Sequence, residues 1–90
     1  MFIYMDNKNN RVEVTTNEQF VGENRTRWYI NEETFSDNKR SGHWLTDERG
    51  FVKFFDTEKQ AITEIKNYLN NLISKGIISE LTEDIQYEKL

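Results

Sequence analysis

The chain has no cysteine, no proline, one histidine and four glycines among its 90 residues. Each scarcity excludes a class of function. Without cysteine there is no disulfide framework, no thiolate nucleophile and no cysteine-based zinc site. A single histidine excludes any constellation that needs two. Glycines at positions 22, 42, 50 and 76 form no glycine-rich phosphate loop. No apolar run approaches the roughly 20 residues that cross a bilayer. The opening Met1-Phe2-Ile3-Tyr4-Met5-Asp6 lacks the basic start and apolar length of a signal peptide. The expectation is no membrane, no cofactor, no metal and a cytoplasmic location.

Sixteen acids against twelve bases leave a formal charge of −4. The length suits one small domain over residues 1–90, with a modest core. The charge is uneven: residues 76–90 carry Glu80, Glu83, Asp84 and Glu88 against Lys89, whereas residues 25–53 hold six bases and five acids. Ten asparagines fit either an AT-rich coding sequence, as in low-GC bacteria and their phages, or a plain use of asparagine in turns.

Phe2–Met5, a polar turn at Asp6–Asn10 and the alternating Arg11–Thr16 read as a β-hairpin, with Val12 and Val14 facing the core. Asn17–Asn24 reads as a connection in which Phe20-Val21 dips into the core and Gly22 supplies a turn. Arg25–Ile30 alternates as a strand, Thr26, Trp28 and Ile30 on one face and Arg25, Arg27 and Tyr29 on the other. Asn31–Gly42 is either a long loop or an irregular edge strand followed by a turn over Ser36–Gly42.

His43–Thr46 and Phe51–Phe55 flank Asp47-Glu48-Arg49-Gly50, which suits a type I turn closed by a left-handed glycine. That register pairs Thr46 with Val52, Leu45 with Lys53, Trp44 with Phe54 and His43 with Phe55. Thr46, Val52, Trp44 and Phe54 then share the core face. A plain four-residue loop would instead set Trp44 against Lys53.

Thr57 and Gln60 stand at capping-box spacing. Ala61, Ile62, Ile65, Tyr68, Leu69, Leu72 and Ile73 follow at helical spacing. Gly76 stops the helix, and Ile77 could fold back onto its last turn. A helix over about 57–75 is predicted. The acidic tail, 77–90, alternates like an edge strand at Ile85 and Tyr87 or fits a helical turn through Leu81 and Ile85. The fold class that follows is α+β: a two-layer sandwich of an antiparallel sheet of about four or five strands on one long helix.

Catalysis has little support. His43 reads as a strand histidine packing on Phe55, with Ser41 nearby but no third group to orient it. Glu32 and Glu33 are neighbours, so on a strand they point to opposite faces and cannot pair for acid–base work. The sheet face away from the helix offers more. It is expected to present Arg25, Arg27 and Tyr29 beside His43, Leu45, Phe51 and Lys53, cations interleaved with aromatics, as on surfaces that stack bases or hold phosphates. The same pattern also describes an ordinary solvated face with arginines covering aromatics.

The aromatic hairpin from Trp44 running into Phe55-Asp56-Thr57-Glu58-Lys59-Gln60-Ala61 and a helix through Leu72 resembles the end of arm-type DNA-binding domains of phage integrases. Those domains lay a three-stranded sheet into the major groove and back it with such a helix. The resemblance implies a DNA-facing side with Arg25, Arg27, Tyr29 and Lys53. It covers residues 44–72 alone, and this chain departs from the usual basic charge of those domains.

The favoured expectation is a non-enzymatic interaction protein of bacterial or phage origin that acts by binding a partner protein such as a host nucleic-acid-handling or defence enzyme, with inhibition as one form of that action. Its contacts would come from the sheet face (Arg25, Arg27, Tyr29, His43, Phe51, Lys53), the Asn31–Gly42 segment, or the acidic tail (Glu80, Glu83, Asp84, Glu88). The alternative is a small nucleic-acid- or nucleotide-binding module on the same face. A homodimer through a proline-free sheet edge is also compatible with the chain.

Overall fold

A computed structural model describes residues 1–78 and, as a two-residue strand, residues 83–84. The elements are β1 (Phe2–Met5), β2 (Arg11–Gly22), β3 (Arg25–Ser36), β4 (Lys39–Trp44), α1 (Glu58–Ser74) and β5 (Glu83–Asp84). They form a four-stranded antiparallel sheet with β5 added at the β1 edge, in the order β4-β3-β2-β1-β5, and one helix. The α+β sheet-on-helix layout is the expected one.

The β1–β2 hairpin has the expected alternation. Phe2 opposes Val14 and Tyr4 opposes Val12, and all four are buried against the helix. Asp6 holds the turn by accepting from the backbone N–H of Lys8 and Asn10, both at 2.9 Å. The helix begins at a complete capping box: Thr57 Oγ1 accepts from Gln60 N, and Gln60 Oε1 accepts from Thr57 N. Ala61, Ile65 and Leu69 are its buried stripe. Thr16 Oγ1 donates to Glu58 at 3.0 Å, tying the helix start to β2. At the other end Gly76, at φ 72°, lets the Ile77 N–H reach Leu72 O at 3.0 Å. This closure satisfies terminal helix carbonyls. Ile77 nevertheless stays 41% exposed, and Ile78 enters the core instead.

Three expectations are corrected. Residues 17–22 are not a connection: β2 runs on to Gly22 and pairs with β3 as far as Arg25. The turn is Glu23-Asn24, with Asn24 at φ 56°. Phe20 does not dip into the core but is 79% exposed, and Val21 is also exposed. Phe20 has the inward parity, yet the helix starts opposite Thr16, so nothing of the second layer reaches the end of this two-stranded arm.

Next, Asn31–Gly42 is neither a long loop nor an irregular edge. β3 continues to Ser36, turns over Asp37-Asn38 with Asp37 at φ 47°, and returns as β4. The Ser36–Lys39 pair sets Trp44 opposite Asn31 and His43 opposite Glu32.

That register produces the third correction. The local turn is as expected: Thr46 bridges Val52, Lys53 N donates to Leu45 O, and Gly50 sits at φ 87°. The face is inverted. Opposed residues in antiparallel strands point the same way, so Trp44 shares the outer face of Asn31 while His43 and Leu45 turn toward the helix. Trp44 and Phe54 are exposed, and Leu45 and Phe55 pack on the core. Phe55 pairs with Trp28 rather than His43, which makes residues 46–54 an excursion beyond the end of β4.

Candidate functional site

The sheet face away from the helix carries the largest group of exposed aromatics. Tyr29 lies edge-on to Trp44, ring centroids 5.6 Å apart, and edge-on to Phe54 at 6.3 Å. The Arg27 guanidinium stands 3.4 Å above the Phe54 ring and donates from Nε to Gln19 Oε1 at 2.7 Å. Trp44 is 54% exposed and Phe54 40%. Gln19, Tyr29, Trp44, Val52 and Phe54 enclose a notch of about 40 Å³. A larger hollow of about 310 Å³ lies beside it, lined by Arg25, Arg27, Phe54 and Asp56.

The cations of this face differ in their company. Arg11 is paired with Glu13, and Arg40 with Glu33 at 2.7 Å. Arg40 beside it holds the Glu33 carboxyl below its ordinary range. Arg25 and Arg27 have no carboxylate partner among the described residues. Together they place two arginines beside Phe54 at the end of the sheet next to the arm, with Asp56 lining the same hollow.

Of the expected site residues, Arg25, Arg27 and Tyr29 therefore share the outer face. Phe51, 67% exposed, sits at the tip of the 46–54 excursion. Lys53 does not join them: its ammonium reaches back to Glu64 of the helix at 2.5 Å, so the DNA-facing set implied by the integrase resemblance is not assembled. His43 does not join either. Trp44 and Phe54 take the places assigned to His43, Leu45 and Lys53. Glu80 and Glu88 of the acidic tail lie outside the described residues, and Glu83 and Asp84 are described only as the backbone of β5, paired with Ile3 and Phe2.

On the helix side, β3 places a carboxylate inside the core. Glu32 is 6% exposed and is the buried charged residue of the described chain. Its Oε2 accepts from the Tyr4 hydroxyl at 3.1 Å, and its Oε1 lies 3.2 Å from His43 Nε2. The Tyr68 hydroxyl, from the helix, stands close enough to interact electrostatically with Glu32 and Tyr4. Burial first, and then the charge of Glu32, raise both phenols: Tyr68 is pushed up to about 12 and Tyr4 further still. The expectation that Glu32 and Glu33 face opposite ways is met, since Glu33 points out to Arg40. What the sequence reading missed is the donor set waiting inside. The available signal was the strand parity itself, which aligns Glu32 with Trp28 and Ile30.

A buried carboxylate on an imidazole resembles half of a general-base system. Among the described residues no serine or threonine hydroxyl hydrogen-bonds to His43, and no group of three or more potential metal ligands occurs. No helix among them is long and apolar enough to cross a membrane. The cluster ties β1, β3, β4 and α1 together.

No protein-family model, no curated protein and no solved structure matches this chain. A reading of function rests on the two clusters alone.

Proposed function

We propose that this chain is a non-enzymatic interaction protein that binds a partner protein through the outer face of its sheet. The observation that carries this reading is the half-exposed Trp44, held edge-on by Tyr29 and flanked by Phe54 under Arg27. Trp, Tyr and Arg are the residues that dominate binding energy at protein interfaces, where they anchor in water-excluding pockets. Here they are already oriented by one another, so little side-chain freedom is lost on docking. The notch between Tyr29, Trp44 and Phe54 would admit one small apolar side chain of the partner.

A second reading, a nucleic-acid surface, is favoured by one observation: among the described residues Arg25 and Arg27 have no carboxylate partner, and they lie beside the exposed aromatics Trp44 and Phe54, on which bases could stack. Affinity capture from a bacterial lysate, with and without nuclease, separates the two. The protein reading expects a partner that survives nuclease treatment and is lost with Trp44→Ala. Capture that persists unchanged in Trp44→Ala refutes it. Capture abolished by nuclease and by Arg27→Ala, and weakening steeply with salt, replaces it with the second reading.

A further inference from the structure

β4 is a sheet edge whose six residues, Lys39–Trp44, are all exposed. Leu45 N donates to Ile30 O, and residues 39, 41 and 43 follow the same alternation in the β3–β4 register. The main-chain N–H and C=O groups of Arg40, Gly42 and Trp44 therefore point away from β3. Among the described residues no backbone group pairs with them. The excursion over residues 46–54 closes the edge just past Leu45, and the Asp37-Asn38 turn closes it before Lys39. The open stretch is thus 39–45, and its midpoint is Gly42.

From this placement we propose that the β4 edge pairs antiparallel with the β4 edge of a second copy of this chain, about a two-fold axis through Gly42. The inference does not rest on the partner-binding reading, although Trp44 takes part in both: here the main-chain edge of β4 does the pairing. Antiparallel pairing of a strand with itself must keep the free groups of residues 40, 42 and 44 opposite one another. Only one register uses all three. Gly42 faces Gly42, Arg40 of each copy faces Trp44 of the other, and Ser41 faces His43.

The register is self-complementary in charge as well. It brings a guanidinium to an exposed indole twice, a favourable cross-strand pairing, and sets no two like charges opposite one another. Sliding by two residues in the direction that sets Arg40 against Gly42 leaves Trp44 beyond the open stretch, and a further step sets Arg40 against Arg40. Glycine at the axis leaves no side chain to crowd the outer face there, where Glu33 Cγ already comes within 3.3 Å of a Cβ placed at position 42. The junction would form about six main-chain hydrogen bonds and make one continuous sheet from two. Such an edge is the feature that natural proteins otherwise blunt or cover.

The test is sedimentation equilibrium on the full chain up to about 1 mM, the range in which weak association is seen. It is combined with electron–electron distance measurement on a Lys39→Cys variant carrying a spin label, the chain having no other cysteine. Lys39 and its symmetry mate lie six positions apart along the paired strands, so the label backbones should be about 20 Å apart. Trp44→Lys sets a lysine against Arg40 and should weaken association about tenfold or more. A chain that stays monomeric at every concentration overturns the proposal. So does a dimer with a label distance far from 20 Å, or one indifferent to Trp44→Lys. A monomer that instead takes up an extended peptide along β4 also overturns it.

Discussion

Removal of the Tyr4 hydroxyl should cost far more than its size suggests. In Tyr4→Phe the ring keeps its packing against Val12 and the helix stripe, so no sizeable void opens. What is lost is one hydrogen bond to a buried carboxylate, 3.1 Å long, at a residue 6% exposed. A hydrogen bond to a charged group contributes about 1.5–3 kcal/mol, and a stranded buried acceptor costs its desolvation besides. Glu32 keeps Tyr68 and His43, which places the expected loss near 2 kcal/mol. In a domain of this size 1 kcal/mol moves the melting temperature by about 4–8 °C, so a fall of roughly 8–16 °C follows.

Thermal and urea unfolding of Tyr4→Phe, Glu32→Met and the double variant measure this directly. Glu32→Met alone leaves the Tyr4 hydroxyl in the core without its acceptor. Adding Tyr4→Phe removes that hydroxyl, so the double variant should be less damaged than the sum of the singles, by about 2 kcal/mol. Replacing a whole buried polar group by well-packed apolar residues is often nearly neutral, and the cycle separates that effect from the cost of a broken pair. A loss below about 0.5 kcal/mol in Tyr4→Phe, or an additive cycle, would refute the account of Glu32 as a charge held by its donors.

Three further outcomes follow from the same structure. Tyr4 and Tyr68 have folded-state pKa values raised above their ordinary 10.0, so their contribution to stability is fully present below pH 10 and is lost as pH climbs through about 12. Absorbance of tyrosinate should show a late-ionising component from Tyr4 and Tyr68, and a titration complete near pH 10 would contradict the buried cluster. Gly50→Ala should destabilise by about 1 kcal/mol in urea unfolding. The φ of 87° strains any Cβ there although no atom lies within 4 Å of it. Thr57→Ala should lose about 1 kcal/mol through the broken capping box; an unchanged midpoint would mean that the helix start is held by Thr16 and Glu58 alone.

Much of the fold was legible because local chemistry and tertiary demand agree. Asp6–Asn10 sets the first hairpin, the capping box and Gly76 bound the helix, and Ala61, Ile65 and Leu69 mark its buried side. Where the reading failed, the deciding partner lay outside the window. Phe20 alternates like a core residue and is exposed because the second layer ends at Thr16, a limit that only the packed helix reveals. The Asn31–Gly42 stretch is polar because β3 and β4 leave one face to solvent and the other to Glu32, His43 and their donors. Low hydrophobicity there marks a paired sheet edge rather than a loop. Glu32 itself reads as half of an inert Glu-Glu pair, since its donor Tyr4 comes from 28 residues before and its neighbour Tyr68 from the helix beyond.

The inverted face of residues 43–55 carries the most consequence. Collecting Trp44, Val52 and Phe54 into the core was the choice of greatest local burial, and full burial of such side chains is each worth about 1.5–3 kcal/mol. The molecule leaves Trp44 and Phe54 exposed because the parity of β4 is not free. The two-residue turn at Asp37-Asn38 transmits the parity of β3, which Trp28 and Ile30 fix through the core, and turning Trp44 inward would turn Ile30 or His43 and Glu32 out of register. The structure thus gives up apolar burial in the isolated chain to keep the buried carboxylate and its partners aligned. Two exposed aromatic side chains on one face, Trp44 and Phe54, the second under Arg27, are what such a compromise leaves. Their burial by another macromolecule would recover that free energy at the interface, which is why Trp44 and Phe54, and not the His43 and Lys53 that the sequence suggested, are the side chains to test for binding.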